Sequence, residues 1–539
     1  MDALIYEKLN EAFKKTSKIL LGGEIGDLKD YENYLMEDAH RLRIEPSTES
    51  GKDVYISSGF YPKRGKFISF DEVNFFKKFE PLNINEIKDI DSIVEAIKER
   101  GLVKYVGNVI LGNSRAYSKV DKIFNSIYVY NGYNIYESKF VAYSSFIRYG
   151  EYCFGVHGAG EASFSMRNAA FGLSRKVFES TYVTYSSNIY FSSLITGSNN
   201  VMFSFNQYGR NYIIGNLEIG RDKFNEISTS LIEQIREEII RGKAPSLKDI
   251  LSSDIDDETV EFMNELSKEY LSKNMPKKKT DMEPIEKSFR ITSKLVLKKE
   301  LSPIKEYENY LSKNVLFNKP TVGESLLGKE RVITYNELKL KGANIKRFLT
   351  SSEALFLTDK LRMKEENLKN IDLRKIIEES KKIAFLSLTY GGNSENIIDT
   401  VGDVDTVNAY RVVWSIKSEN TVASFWPRNS KYIFGSSSTM SSSFCINCYY
   451  VENIKRGFEV DSSYNSSDVY FSHNVENVND CMFCFNVKNL KNAIGNGELS
   501  RERYLEVKKK VLEEIADELE KKKDLKWDIY NIGEYGNGE

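Results

Sequence analysis

The chain has 539 residues, of which 41% are hydrophobic and 29% charged, so the composition is that of a folded protein of about two to four domains. Its 76 basic and 78 acidic residues nearly cancel and no run of 18 apolar residues occurs, so neither nucleic acid nor a membrane is an expected partner. Five cysteines are too few for a disulfide framework, and the N-terminus lacks the pattern of a secretory signal, which predicts a cytoplasmic protein.

The first predicted elements are helices, because apolar residues recur at three- and four-residue spacing over residues 2–21, 26–40 and 84–100. A long stretch rich in Tyr, Phe, Val, Ser and Asn follows, in which short apolar alternations predict strands. An amphipathic helix over residues 221–242 closes this part of the chain. The same order then recurs, with predicted helices near 284–299, 302–313 and 370–382, a second strand-rich stretch and a closing helix over 500–522.

Matching sequences recur at a fixed distance, which predicts a tandem duplication. The sequence NNVMFSFNQYGRNYIIGN at 199–216 matches NDCMFCFNVKNLKNAIGN at 479–496 in 8 of 18 positions, at a numbering offset of 280. Nearer the N-terminus the offset is 276, because AFKKTSKILL from residue 12 pairs with SFRITSKLVL from residue 288. The two predicted halves therefore span nearly the whole chain.

We predict an α+β fold in which each half joins a helical section to a β-repeat section and a closing helix. The first half is residues 1–273, with sections helical 1–103, β-repeat 104–219 and helical 220–273. A linker follows at 274–284, where proline and charge collect. The second half is residues 285–539, with sections helical 285–382, β-repeat 383–498, helical 499–523 and a tail at 524–539.

A unit of 11 or 12 residues recurs within the β-repeat sections, as in VENVNDC at 475 and VKNLKNA at 487. Such a unit predicts a β-solenoid, in which each coil stacks on the next and Asn and Ser hydrogen-bond at the turns. Because Phe and Tyr would overfill a 12-residue coil, we expect coils of about 24 residues, made of two units. An antiparallel meander or sandwich with similar turn spacing is the alternative.

The strand units with Cys, Asn and aromatic residues, followed by NAIGNGELSRERYLEVKKKV from residue 492, resemble uncharacterised Cys-rich repeat proteins of archaea, candidate-phylum bacteria and their viruses. The resemblance covers residues 430–515 best, and 150–240 less well because Ser, Val or Asn replaces cysteine there. It implies a repeat architecture and offers a virion-associated location as the alternative to a cytoplasmic one. It implies no activity.

Two Cys-x-x-Cys pairs, Cys445 with Cys448 and Cys481 with Cys484, are the candidate metal ligands, because four thiolates can close a tetrahedral zinc shell. On a straight strand, however, side chains three residues apart point to opposite faces, so one pair cannot hold one ion. The first half has no thiols at the corresponding positions. The preferred interpretation is that the cysteines fill small interior positions and that no cofactor is bound, with zinc as the alternative.

Solenoid enzymes that act on polysaccharides gather acidic and basic side chains on one exposed face, and the nearest approximation here is the set Arg456, Glu459, Asp461 and Asp468. These are the candidate catalytic residues if the protein is an enzyme. Solvated charges on an outer sheet face are the preferred interpretation.

The leading hypothesis is a non-enzymatic structural or scaffold protein of viral or proviral origin, with protein partners or self-association. It depends on two observations: no catalytic motif is complete in the sequence, and a repeat offers extended surfaces. The alternatives are a carbohydrate-active or carbohydrate-binding β-solenoid and a zinc-stabilised interaction module.

Overall fold

The structure, a computed structural model, describes residues 3–83, 85–273, 280–388 and 392–535. It is a mixed α and β fold, as the sequence predicts. The helices are α1 (Ala3–Leu21), α2 (Glu32–Leu35), α3 (Ile90–Glu99), α4 (Arg221–Ile240), α5 (Leu247–Ser252), α6 (Asp257–Ser272), α7 (Glu283–Leu297), α8 (Ile304–Ser312), α9 (Ser351–Leu357), α10 (Leu373–Ile383) and α11 (Arg501–Lys522). None of them, within the described part of the chain, combines the length and the apolar character needed to cross a membrane.

The first large sheet contains β5 to β19, and β1 to β4 form two small sheets. These strands are β1 (Arg43–Pro46), β2 (Asp53–Ile56), β3 (Phe67–Ser69), β4 (Tyr105–Gly107), β5 (Ile110–Leu111), β6 (Arg115–Phe124), β7 (Ile127–Tyr136), β8 (Lys139–Ala142), β9 (Ser145–Arg148), β10 (Glu151–Phe154), β11 (His157–Met166), β12 (Ala169–Phe178), β13 (Thr181–Thr184), β14 (Ser187–Tyr190), β15 (Ser193–Thr196), β16 (Asn199–Met202), β17 (Phe205–Tyr208), β18 (Asn211–Ile214) and β19 (Leu217–Glu218).

The second large sheet contains β22 to β32, and β20 pairs with β21 in a hairpin. These strands are β20 (Thr321–Glu324), β21 (Arg331–Thr334), β22 (Glu395–Ile398), β23 (Val407–Val413), β24 (Glu419–Phe425), β25 (Lys431–Phe434), β26 (Ser437–Met440), β27 (Ser443–Asp461), β28 (Tyr464–Glu476), β29 (Asn479–Met482), β30 (Phe485–Lys488), β31 (Lys491–Ile494) and β32 (Gly497–Glu498).

Both large sheets are mainly parallel, and apart from β5 and β6 their parallel strands pair residues whose numbers differ by 12. In the first sheet, Cys153 lies opposite Val141 in one neighbouring strand and Ser165 in the other. The second sheet has the same step, since Cys481 lies opposite Val469. The expectation of a 24-residue coil is therefore wrong, because each strand stacks on the chain one 12-residue step earlier.

The side chains that point into the core recur every third residue, and this period explains how a step of only 12 residues can surround a core. The core residues of the first sheet all differ by multiples of three, and they include Val120, Ile123, Val129, Ile135, Val141, Ile147, Cys153, Val156, Val177, Val183, Ile189, Ile195, Val201 and Ile213. Backbone φ is positive at nearly every third residue in these regions, so the chain bends there. Asn tolerates this left-handed conformation better than most residues, and it occupies consecutive steps at Asn453, Asn465, Asn477 and Asn489.

Large aromatic rings lie out of phase with the core positions, which is why they do not overfill the 12-residue step. Tyr128, Phe140, Tyr152 and Phe164 follow one another at intervals of 12 and stack with centroid distances of 5.1, 4.9 and 4.7 Å. Each of these residues has positive φ, whereas the core residues belong to a different phase of the three-residue period. The rings therefore form a ladder outside the core.

Serine side chains connect successive steps inside each sheet. The Ser192 hydroxyl donates to the carbonyl oxygen of Tyr190 at 2.7 Å and accepts the backbone N–H of Ser204 at 3.0 Å. Cysteine takes part in the same ladder, since Cys484 Sγ donates to the carbonyl oxygen of Met482 at 3.4 Å. Small polar side chains at these core positions thus satisfy backbone groups that burial would otherwise leave without partners.

Two compact units divide the chain, and each is built from three separate stretches. Among the residues described, unit 1 comprises Met1–Leu42, Val109–Lys277 and Lys319–Tyr390, and unit 2 comprises Arg43–Asn108, Lys278–Asn318 and Gly391–Glu539. The units thus differ from the contiguous predicted domains 1–273 and 285–539. We call 43–108 the first exchanged segment, because it belongs with the second large sheet, and 319–390 the second exchanged segment, because it belongs with the first.

Candidate functional site

Buried polar and charged side chains lie where each exchanged segment meets its large sheet. In unit 2, His473 Nε2 accepts the backbone N–H of Val106 at 2.9 Å, and His473 Nδ1 lies 2.7 Å from Asp461 Oδ2. Nε2 therefore carries no proton, and Nδ1 donates to the carboxylate. The Tyr61 hydroxyl donates to the same Asp461 oxygen at 2.7 Å. Val106 and Tyr61 both come from the first exchanged segment, so the Asp–His pair anchors that segment.

Glu459 is a second buried carboxyl group in unit 2, and it is surrounded by three donors. Asn447 Nδ2 donates to it at 2.8 Å, the Tyr310 hydroxyl at 2.9 Å and the backbone N–H of Ile529 at 3.0 Å. Burial away from water and the Asp528 carboxylate raise the pKa of Glu459 to about 8, although these donors act in the opposite direction. Glu459 therefore changes its charge near neutral pH.

Glu179 is the counterpart of Glu459 at the offset of 280 and is also buried, but its strongest partners are charged. Arg167 Nε lies 3.0 Å from Glu179 Oε2, and Lys339 Nζ lies 2.5 Å from Oε1. The Ser246 hydroxyl and the Leu247 N–H also donate to Oε1, at 3.0 and 3.1 Å. Burial alone would raise the pKa of Glu179, but the charges of Arg167 and Lys339 hold it below its usual range.

Lys339 connects the second exchanged segment to this cluster. Its Nζ lies 2.9 Å from Asp38 Oδ2 in addition to its contact with Glu179. The side chains of Lys339, Asp38 and Glu179 are 2%, 7% and 0% exposed. Burial would raise the pKa of Asp38, but Lys339 and Arg167 lower it overall. Unit 1 thus contains a buried network of ion pairs that connects three separate parts of the chain.

The predicted catalytic residues do not gather on one exposed face. Arg456 and Asp468 form a two-bond ion pair across one 12-residue step, with Nε to Oδ1 at 2.8 Å and a guanidinium nitrogen to Oδ2 at 2.5 Å. They are partly exposed, with side-chain exposures of 35% and 18%. Glu459 and Asp461 are fully buried, so the expectation that they are solvated charges on an outer face is wrong. Neighbouring parts of the chain cover them: Glu459 contacts Tyr310 and Ile529. Asp461 is covered by Tyr61 and His473.

The four candidate zinc ligands lie in two places within the core of the second sheet. Cys445 and Cys481 are separated by three 12-residue steps, or about 14 Å at about 4.8 Å per step. Two sulfur atoms bound to one zinc ion are at most about 4.6 Å apart, so the four thiols cannot share one ion. Across the described ranges, no three His, Cys, Asp or Glu side chains are arranged to hold a metal ion.

Burial also opposes the thiolate form that metals require. Burial, followed by the neighbouring Cys445 thiol, raises the pKa of Cys448 well above its usual value. The contact with Cys484, followed by burial, does the same for the pKa of Cys481. Cys445 and Cys448 both face the core, because the side-chain period is three and not the two of a straight strand. These thiols therefore act as core residues.

Sequence reasoning missed Asp38, Lys339 and Tyr61, because no local pattern relates them to their partners. One signal was present in the sequence: at the offset of 280 found in the strand-rich stretches, Arg167 stands where Asn447 does. That difference marks a charged environment for Glu179 and a neutral one for Glu459. No protein-family model, curated protein or solved structure matches the chain.

Proposed function

We propose that the protein is a non-enzymatic scaffold. The observation that supports this function best is that the acid–base groups of unit 2 are used to hold the chain together. His473 presents Nε2 to a backbone N–H of the first exchanged segment, and Glu459 accepts three internal hydrogen bonds. A general acid or base has to be within reach of a substrate, and these groups are covered by protein.

The proposal includes a β-solenoid with 12-residue coils in each unit. The constant step of 12, the three-residue period of the core and the stacked aromatic rings support it. At the end of each sheet an antiparallel pair, β18 with β19 or β31 with β32, is followed by a long helix. Such closing elements cover a sheet end that could otherwise pair with another chain.

The proposal also includes a tandem duplication, because matching residues make matching contacts in the two units. The Tyr190 hydroxyl donates to the carbonyl oxygen of Leu20 at 2.9 Å, and the Tyr470 hydroxyl donates to that of Val296 at 3.0 Å. Asn206 and Asn486 each donate to a backbone carbonyl of an exchanged segment, at 2.6 and 2.8 Å. The tyrosine pair and the asparagine pair both obey the numbering offset of 280.

Such a scaffold would act by binding further copies of itself or a protein partner, in the cytoplasm or in a virus particle. The setting in a particle rests on the resemblance to repeat proteins of archaea, candidate-phylum bacteria and their viruses. Sedimentation velocity over a wide range of protein concentration is expected to show assemblies larger than the 62.0 kDa chain.

A chain that stays monomeric at every concentration and does not co-sediment with isolated particles of the host would remove the support for a scaffold. Turnover of any member of a glycan panel, lost in Asp468→Asn, would contradict the non-enzymatic proposal. Asp468 is the suitable position for this control, because it is partly exposed and lies outside the buried clusters that hold the exchanged segments.

A further inference from the structure

Lys339, Asp38 and Glu179 place one amine between two carboxyl groups inside unit 1. The Lys339 Nζ atom lies 2.9 Å from Asp38 Oδ2 and 2.5 Å from Glu179 Oε1. Water has little access, because all three side chains are at least nine-tenths buried. An amine held against a carboxyl group in a dry site is positioned for amide formation, which in water is opposed by solvent and by the ionised state of both groups.

We propose that Lys339 and Asp38 condense to an intramolecular isopeptide bond, with Glu179 transferring the proton. This proposal is independent of the scaffold function, since it depends on unit 1 alone.

Charge balance in the cluster allows the reactive state to form. Arg167 pairs with Glu179 at 3.0 Å and with the half-exposed Glu37 at 2.6 Å, so Lys339 is the cation that faces Asp38. Transfer of one proton from the Lys339 ammonium to the Asp38 carboxylate converts this ion pair into an amine and a carboxylic acid. Burial favours this neutral pair, whereas the charges of Lys339 and Arg167 oppose it. The ion pair is the resting state, but a minor neutral population is enough when the product that forms from it does not revert.

The reaction needs no other reagent. The Nζ lone pair attacks Cγ of the protonated Asp38, and a C–N bond forms while the Cγ carbonyl becomes an alkoxide. Glu179 accepts a proton from the nitrogen and returns it to the departing hydroxyl group. The C–O bond breaks, the carbonyl re-forms and one water molecule leaves. The amide retains one N–H, and Glu179 ends in its starting state.

Unit 2 provides an internal comparison that lacks this chemistry. The starts of the hairpins β1–β2 and β20–β21 differ by 278 in the numbering, and at this offset Tyr61 stands where Lys339 does. At the offset of 276, Asn314 stands where Asp38 does. Unit 2 therefore has a phenol and an amide in place of the amine and the acid, and its exchanged segment is anchored by hydrogen bonds to Asp461 and His473. An isopeptide bond is expected in unit 1 alone.

Such a bond would fix the exchanged segment permanently. Asp38 belongs to the stretch Met1–Leu42 and Lys339 to Lys319–Tyr390, so the bond would close a covalent loop that contains all of the chain between residues 38 and 339. Cross-links that close long loops restrict the unfolded chain most. The expected consequence is a unit 1 whose exchanged segment cannot separate from the stretch Met1–Leu42.

Intact mass spectrometry of the purified full chain tests the proposal. The mass is expected to be lower than the sequence mass by one water, and digestion is expected to yield a branched peptide that joins Asp38 to Lys339. Lys339→Arg keeps a positive charge but removes the amine, so it is expected to have its full sequence mass. Glu179→Gln is expected to form the bond more slowly or not at all.

A folded wild-type protein that keeps its full sequence mass after prolonged incubation at neutral pH would overturn the proposal. Loss of water that maps to any other pair of residues would overturn it as well. Because the intact mass and the peptide map of the wild type decide between these results, the test does not depend on whether a variant folds.

Discussion

Where Lys339 is a free amine, Glu179→Ala is expected to lower the free energy of unfolding by about 3–5 kcal/mol, because it leaves the Arg167 and Lys339 charges buried without their shared carboxylate. Against a wild type that has formed the isopeptide bond the loss is expected to be larger, because the variant also lacks the cross-link. The Ser246 hydroxyl and the Leu247 N–H lose an acceptor in the same substitution. Urea unfolding, followed by circular dichroism, measures the loss.

Glu459→Ala is the matched control, since this second buried glutamate occupies the equivalent position at the offset of 280 and lies among neutral donors. Its expected cost is about 1–3 kcal/mol, the usual range for donors left without an acceptor. If Glu179→Ala were no more destabilising than Glu459→Ala, the ion-pair network of unit 1 would not be what holds the second exchanged segment.

Stability is expected to fall as pH rises from about 4.5 to about 8, because of Glu459. The pKa of Glu459 is raised from 4.5 to about 8 in the folded protein, so the unfolded chain loses its proton first. The contribution of this group is full below about 4.5 and is lost as pH approaches 8. A shift of this size corresponds to about 5 kcal/mol as an upper bound, at about 1.4 kcal/mol per pH unit.

The measurement compares the free energy of unfolding of the wild type and of Glu459→Gln across this pH range. Glutamine does not ionise, so the free energy of unfolding of the variant is expected to rise steadily relative to that of the wild type as pH rises. Any cost of the substitution that does not depend on pH leaves this slope unchanged. Glu179→Gln should show the opposite sign, and at pH below about 4.5, because the lowered pKa of Glu179 contributes stability that is full above this pH and is lost as pH falls. This comparison is made in the Lys339→Arg background, in which no isopeptide bond forms. Parallel pH profiles for the wild type and Glu459→Gln would show that Glu459 is ionised in the folded protein throughout.

Local periodicity predicted the elements that depend on local sequence. The closing helices were expected at 221–242 and 500–522, and the structure has α4 at Arg221–Ile240 and α11 at Arg501–Lys522. The recurrence of short strand units at 12-residue spacing was also visible, because Asn, Ser and small apolar residues repeat there. These features are encoded within a few residues of one another.

The core could not be predicted in the same way, because alternation along a strand assumes a period of two. In this structure the backbone bends at nearly every third residue, so Cys445 and Cys448 both point into the core. Aromatic side chains were expected to need a larger coil for the same reason. Their stacking outside the core became visible only with the three-residue period.

The exchange of segments depends on contacts between residues that are far apart in the chain. Lys339 reaches Asp38 and Glu179, and Tyr61 reaches Asp461, across separations that no sequence window covers. A contiguous arrangement of two halves was the simplest prediction from the expected tandem duplication. The buried polar clusters explain why the structure differs, since each exchanged segment satisfies groups that its sheet would otherwise bury without partners.

Each unit is completed by a segment from the other half of the chain, and cutting the chain between the halves tests this most directly. A protease site is inserted at residues 274–279, which lie outside the described residues, and the purified protein is cut there. The two fragments are expected to elute together as one 62.0 kDa species even at high dilution, because 43–108 and 319–390 each belong to a unit whose sheet lies in the other fragment.

Denaturing electrophoresis of the same cut protein distinguishes the isopeptide bond from the exchange of segments. With the isopeptide bond the wild-type fragments stay joined in denaturant, whereas those of Lys339→Arg separate there and yet elute together under native conditions. Fragments of Lys339→Arg that elute apart under native conditions, each folded by itself, would contradict the exchange of segments.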